Sequence, residues 1–227
     1  MLFRSLTADF LVQAVSDRVT FQIEQKASIN PVTKKPYLDG IPYFSVFTPD
    51  GKLYYSAIAA RNKISFPAKK GVTYFMWIYP QSDTTYGHTW RIVKADSPYV
   101  VGTRIHPAGL QIRTPPGSRL YFFVPANVRK FDLIVNGWGG FDVLDPAGKV
   151  LTTEKGVRGG YKSIPVQRAD GKMLESGLYQ LQVKQILSGR IRFSSELPGF
   201  FVIDPEHALQ VTLDEKKLLE QQKKQRF

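Results

Sequence analysis

Cysteine is absent from the 227 residues, which excludes disulfides, thiolate metal sites and cysteine nucleophiles. Apolar residues never run on for the roughly 18 positions a membrane-spanning helix needs, so no span is expected. Histidine is scarce: His88, His106 and His207 stand far apart and at no metal-binding spacing, so each reads as structural or superficial and no metal site or cofactor is expected. No Gly-x-Ser-x-Gly elbow, phosphate-binding loop or dinucleotide fingerprint occurs. The nearest glycine-rich stretch, NGWGGF (Asn136 to Phe141), reads as a link between strands that opens no helix, and so makes no phosphate cradle. Acidic residues are few, 19 against 31 basic ones, a net charge of +12. Asp39, Asp83, Asp96, Glu154, Asp170, Glu175 and Glu196 fall in polar, turn-like stretches and define no carboxylate pair of the kind a glycosidase sets across its cleft. No catalytic residue is assigned, and the chain reads as a non-enzyme.

What is plentiful points to strands. With 15 prolines, 18 glycines and 13% aromatic residues, the chain has the material for many turns around an apolar core. Two stretches repeat one frame: FSVFTPDGKL (Phe44 to Leu53) and FDVLDPAGKV (Phe141 to Val150). Proline suits the second position of a type I turn, and the glycine two residues later suits a left-handed conformation that closes an antiparallel hairpin. Downstream, WRIVKADSPYVV (Trp90 to Val101) and IRFSSELPGFFV (Ile191 to Val202) also correspond. Each is an alternating strand, broken at proline, that resumes as an apolar run. Landmarks in the same order at nearly the same offset indicate two copies of one unit.

Strand periodicity is clearest in RVTFQIEQ, where Val19, Phe21 and Ile23 alternate with Thr20, Gln22 and Glu24, and in SGLYQLQV, where Tyr179, Leu181 and Val183 do the same. Short strands between regular turn signals predict an all-β protein of two tandem antiparallel β-sandwich, jelly-roll-like domains. The expected boundaries are 8–112 and 113–205, joined through the proline-stiffened stretch around Pro115 and Pro116. Residues 206–227 change character: Thr212 and Glu215 form a capping box that predicts a short C-terminal helix. The opening, MLFRSLTADFLVQAVSDRVTF, lacks the apolar core and small-residue cleavage site of a signal peptide.

The stretch YFFVPANVRKFDLIVNGWGGFDVLDPAGKVL (Tyr121 to Leu151), followed by SGLYQLQV, resembles the bacterial pre-peptidase C-terminal type of β-sandwich and similar jelly-roll modules on extracellular hydrolases. Its pattern is Tyr-Phe-x-Val-Pro, an apolar strand, then Val-x-Asp-Pro-x-Gly-Lys. The likeness covers about 120–205; the first copy matches only through its turn and last strands. The resemblance implies a non-catalytic accessory module of a larger extracellular or periplasmic bacterial protein, one that contacts polysaccharide or positions a hydrolase domain of the same parent. A docking scaffold without a ligand and a stand-alone carbohydrate-active enzyme are the alternatives.

Polysaccharide contact rests on exposed aromatic rings that stack on sugar faces. Trp138, set between glycines in GWGG, is the first candidate; Trp90, Tyr86 and Tyr161 are others, and Arg158 and Lys162 in VRGGYKS are placed to meet an acidic sugar. Nucleic-acid binding is expected less, because RLYFFVPANVRKF alternates as a core strand whose rings point inward.

Overall fold

A computed structural model describes residues 3–4, 8–27, 34, 43–60, 62–79, 88–102, 110–202 and 205–209. The protein is all-β and antiparallel, and the chain divides into two compact units, Met1–Tyr99 and Val100–Phe227.

The first unit holds β1 (Phe3–Arg4), β2 (Ala8–Gln13), β3 (Arg18–Ala27), β4 (Tyr43–Phe47), β5 (Leu53–Ile58), β6 (Lys63–Pro67), β7 (Thr73–Tyr79) and β8 (His88–Ala95). One sheet runs β1-β8-β3-β6, and β2-β7-β4-β5 are neighbours in another. The alternation read in β3 is realised: Val19, Phe21 and Ile23 are all buried. Phe10 of β2 meets Phe21 of β3 with ring centroids 6.2 Å apart, and Phe44 of β4 meets Phe66 of β6 at 6.5 Å. The two sheets therefore share one aromatic core, the arrangement of a sandwich.

The chain leaves this unit through β9 (Tyr99–Gly102). The second unit continues with β10 (Leu110–Thr114), β11 (Arg119–Val124), β12 (Lys130–Leu144), β13 (Val150–Gln167), β14 (Gly177–Val183), β15 (Leu187–Phe193) and β16 (Phe200–Phe201). The two apolar runs that resume after Pro98 and Pro198 pair with each other, Phe200 opposite Gly102 and Phe201 opposite Val101.

NGWGGF is not a link between strands. β12 passes straight through it for 15 residues, and it is here that the strand changes neighbours. Leu133 to Trp138 pair with β15, whereas Phe141 to Leu144 pair with β14. Strands β10 and β11 extend the two arms. A strand that crosses from one layer to the other at a bulge forms the corner of a sandwich. Register shifts between Asn136 and Trp138 and between Gly139 and Phe141 mark that corner. The arms close on one core: Phe122 of β11 lies 5.6 Å from Phe131 of β12, 4.8 Å from Phe193 of β15 and 6.1 Å from Phe201 of β16. Tyr179, wholly buried beside Phe122, donates a 2.9 Å hydrogen bond to the Glu175 carbonyl. Burial, then the nearby charges of Asp145 and Glu175, pushes its phenol up to about 12.

The repeated frame folds twice into one turn. The Thr48 amide donates to the Lys52 carbonyl (2.9 Å) and Gly51 to Thr48 (2.8 Å); Asp145 donates to Lys149 (2.9 Å) and Gly148 to Asp145 (2.9 Å). Gly51 and Gly148 have φ of 85° and 82°, the left-handed region where a side chain is strained. The C-terminal helix expected over 206–227 is, among the described residues, only a 3-10 turn at Pro205–His207. Thr212 and Glu215 lie outside the described residues.

Candidate functional site

The outer face of the second unit is built where β12 lies between β13 and β15. Val135 and Gly137 point to the core, so Asn136 and Trp138 point out, because successive side chains of a strand alternate. On β15, Arg190 stands opposite Asn136 and Ser188 opposite Trp138. On β13, Tyr161 stands opposite Asn136 and Arg158 opposite Trp138. Directly opposed residues of antiparallel strands share a face. Three residues of β13 thus span what two of β12 span, and the extra residue is taken up by Gly159 and Gly160, with φ of 66° and 72°. That bulge lets Arg158 and Tyr161 emerge on the same side.

The result is an open aromatic-basic surface. Trp138 is 60% exposed and Tyr161 61%, unusual for rings that bury readily. The rows continue outward: Arg113 of β10 stands opposite Ser188, and Arg192 of β15 opposite Ile134. Arg113, Arg158 and Arg190 are exposed, and none of them has a carboxylate partner among the described residues. The buried Nε of Arg192 has no hydrogen-bond partner there either.

Lys162 plays a different part. It stands opposite inward-facing Val135, and its ammonium lies 2.6 Å from the buried carboxylate of Glu154. The Gly156 amide donates a second hydrogen bond to Glu154, 3.0 Å long. Burial alone would raise this carboxyl, but the Lys162 hydrogen bond, the Gly156 amide and the Lys162 charge together hold it below the ordinary 4.5. A carboxyl whose pKa is lowered on folding stabilises the fold above its unfolded pKa, and that contribution is lost as pH falls through the folded one. Lys162 is half exposed, so Glu154→Gln is expected to cost about 1 kcal/mol at pH 7 and less at pH 2.5. Urea titrations at the two pH values check this; an equal loss at both would remove the ion pair from the account.

Trp90 lies on β8 of the first unit, opposite Phe3 and Gln25, and Tyr86 lies outside the described residues, as do Asp39, Asp83 and His106. Tyr161 belongs to β13. Arg113, Arg190 and Arg192 were not singled out in the sequence. Only the ladder through β10, β15 and β12 brings them beside Trp138, and the one sequence signal is the Arg-Ile-Arg alternation of 190–192. Among the described residues no cluster of three or more histidine or carboxylate side chains could hold a metal ion, and no helix is long and apolar enough to cross a membrane.

Comparison with protein-family models found no match, and searches of curated proteins and of solved structures returned none. Fold and site together define the class: an antiparallel all-β sandwich protein with an open aromatic-basic face on its second unit. The resemblance to pre-peptidase C-terminal modules rests on the residues that carry it.

Proposed function

We propose that this chain is a non-catalytic module of a larger extracellular bacterial protein and that its second unit contacts polysaccharide through the outer face of β12 and β13. The observation that carries the reading is the pair of exposed rings, Trp138 and Tyr161, held on one face by direct register with Arg158 and Asn136. A sheet that presents two rings with an amide and a hydroxyl (Asn136, Ser188) between strands offers stacking surfaces and hydrogen-bond partners together. The surface is open rather than enclosed, which suits a long chain running across it. Such a module would hold substrate near a hydrolase domain of the same parent.

Trp138→Ala is expected to weaken retention in affinity gels containing the bound polysaccharide by about tenfold, equivalent to ~1.4 kcal/mol. The melting temperature should stay unchanged, because most of the ring already faces water. Undiminished retention, or a large loss of stability, would count against a binding role.

A docking scaffold is the second reading, and one feature favours it. Strand β5 ends its sheet, carries no charge, and leaves Leu53, Tyr54 and Ile58 exposed. Edges of that kind accept an added strand unless something shields them. A module that serves only by docking would leave every polysaccharide gel unretarding, whatever stands at 138.

A further inference from the structure

We infer that the polysaccharide is an acidic one, bearing carboxylate or sulfate groups, and that Arg113, Arg158 and Arg190 read its charge while Trp138 and Tyr161 stack on its rings. This rests on the polysaccharide reading above and goes beyond it by naming the ligand's chemistry.

The first support is the set of unpaired cations on this face. Some basic groups of this unit are matched: Arg168 with Asp170 (3.0 Å) and Glu175 (3.7 Å), Lys184 with Asp142 (2.9 Å), Lys162 with Glu154 (2.6 Å). Arg113, Arg158 and Arg190 have no carboxylate among the described residues, and the Arg192 Nε is buried without an acceptor. Asp132, at the border of this face, is itself 3.9 Å from Lys130. Like charges gathered on neighbouring strands repel one another and disfavour the fold. A dianionic or polyanionic ligand relieves that repulsion, and a neutral glucan does not.

The second support is the geometry. Arg158, Trp138, Ser188 and Arg113 lie in one row across four neighbouring strands, and Tyr161, Asn136 and Arg190 in the next. At roughly 4.8 Å between strands, the first row is about 14 Å long. It carries a cation at each end and a ring and a hydroxyl between them, so charge contacts recur along a chain while the sugar in between meets Trp138 and Ser188. The cations are arginines, whose planar forks suit carboxylate and sulfate oxygens two at a time.

The test is affinity electrophoresis of the full chain in gels holding polygalacturonate, dextran sulfate or neutral dextran, at 50 and 200 mM NaCl, with a single-stranded DNA gel alongside. Retardation by an acidic gel, at least tenfold stronger than by dextran and weakened by salt, is expected. The double variant Arg158→Gln/Arg190→Gln should lose about tenfold or more of that affinity and flatten its salt dependence by roughly two charges, while Trp138→Ala weakens binding at both salt concentrations alike. Melting temperatures of the variants should match the parent chain. Equal, salt-insensitive and Trp138-dependent binding to dextran would overturn the acidic ligand and leave the polysaccharide reading standing. Retardation by none of the three polysaccharides would bring down both. Stronger retardation by DNA than by any polysaccharide would replace both with a nucleic-acid surface.

Discussion

Gly189→Val is expected to lower the unfolding free energy of the second unit by at least about 3 kcal/mol and its melting temperature by about 10 °C or more. Gly189 of β15 stands opposite Gly137 of β12, a glycine pair at the corner where β12 changes layers. Its φ is 147°, where an L side chain is strained. A Cβ there would collide with the Asn136 carbonyl and come within 2.6 Å of the Gly137 Cα. Both obstacles are backbone and cannot rotate aside, so β12 and β15 must separate and lose ladder hydrogen bonds worth about 1 kcal/mol each. Gly171→Ala supplies the comparison: its φ is 68°, but nothing stands within 4 Å of the added carbon, so only about 1 kcal/mol is at stake. Calorimetry of the full chain would show a large loss for Gly189→Val and a small one for Gly171→Ala. Equal small losses for both variants would mean that the strands approach less closely than described. Because Asn136 and Arg190 belong to this crossing, Gly189→Val should also abolish retention by acidic gels.

The second large effect belongs to Phe122. Its ring meets those of Phe131, Tyr179, Phe193 and Phe201, from four other strands. Phe122→Ala removes the centre of that cluster and leaves a cavity its neighbours cannot fill without breaking register, at a cost of about 3–5 kcal/mol. Phe122→Leu keeps most of the volume and is expected to cost under ~1.5 kcal/mol. Urea midpoints with unchanged m-values would confirm the order. A Phe122→Ala chain as stable as Phe122→Leu would mean the two arms do not share one core.

The strands and the repeated turn were legible because their signals are local. Val19, Phe21 and Ile23 alternate within six residues, and Pro49 with Gly51, or Pro146 with Gly148, fix a turn from side-chain geometry alone. The corner was not legible. Glycine weakens strands, so NGWGGF reads as a break until Gly189, far along the chain, is seen to need Gly137 opposite it. For the same reason the sequence offered Trp138, Tyr161 and Arg158, which are near in the chain, but not Arg113 and Arg190. Their place beside Trp138 is set by register across β10, β15 and β12, and register is a property of paired strands rather than of any one segment. Lys162 is the reverse case. Adjacent to Tyr161 in sequence, it turns the other way and ties down Glu154.

The twin Pro-x-Gly turns close on their own main chain, each through two backbone hydrogen bonds, and Pro49, Asp50, Pro146 and Ala147 at the tips are exposed. A link satisfied from within makes few demands on its surroundings. The second tip is therefore a natural attachment point: a fluorophore or an inserted epitope at exposed Ala147 should report on the second unit without disturbing it.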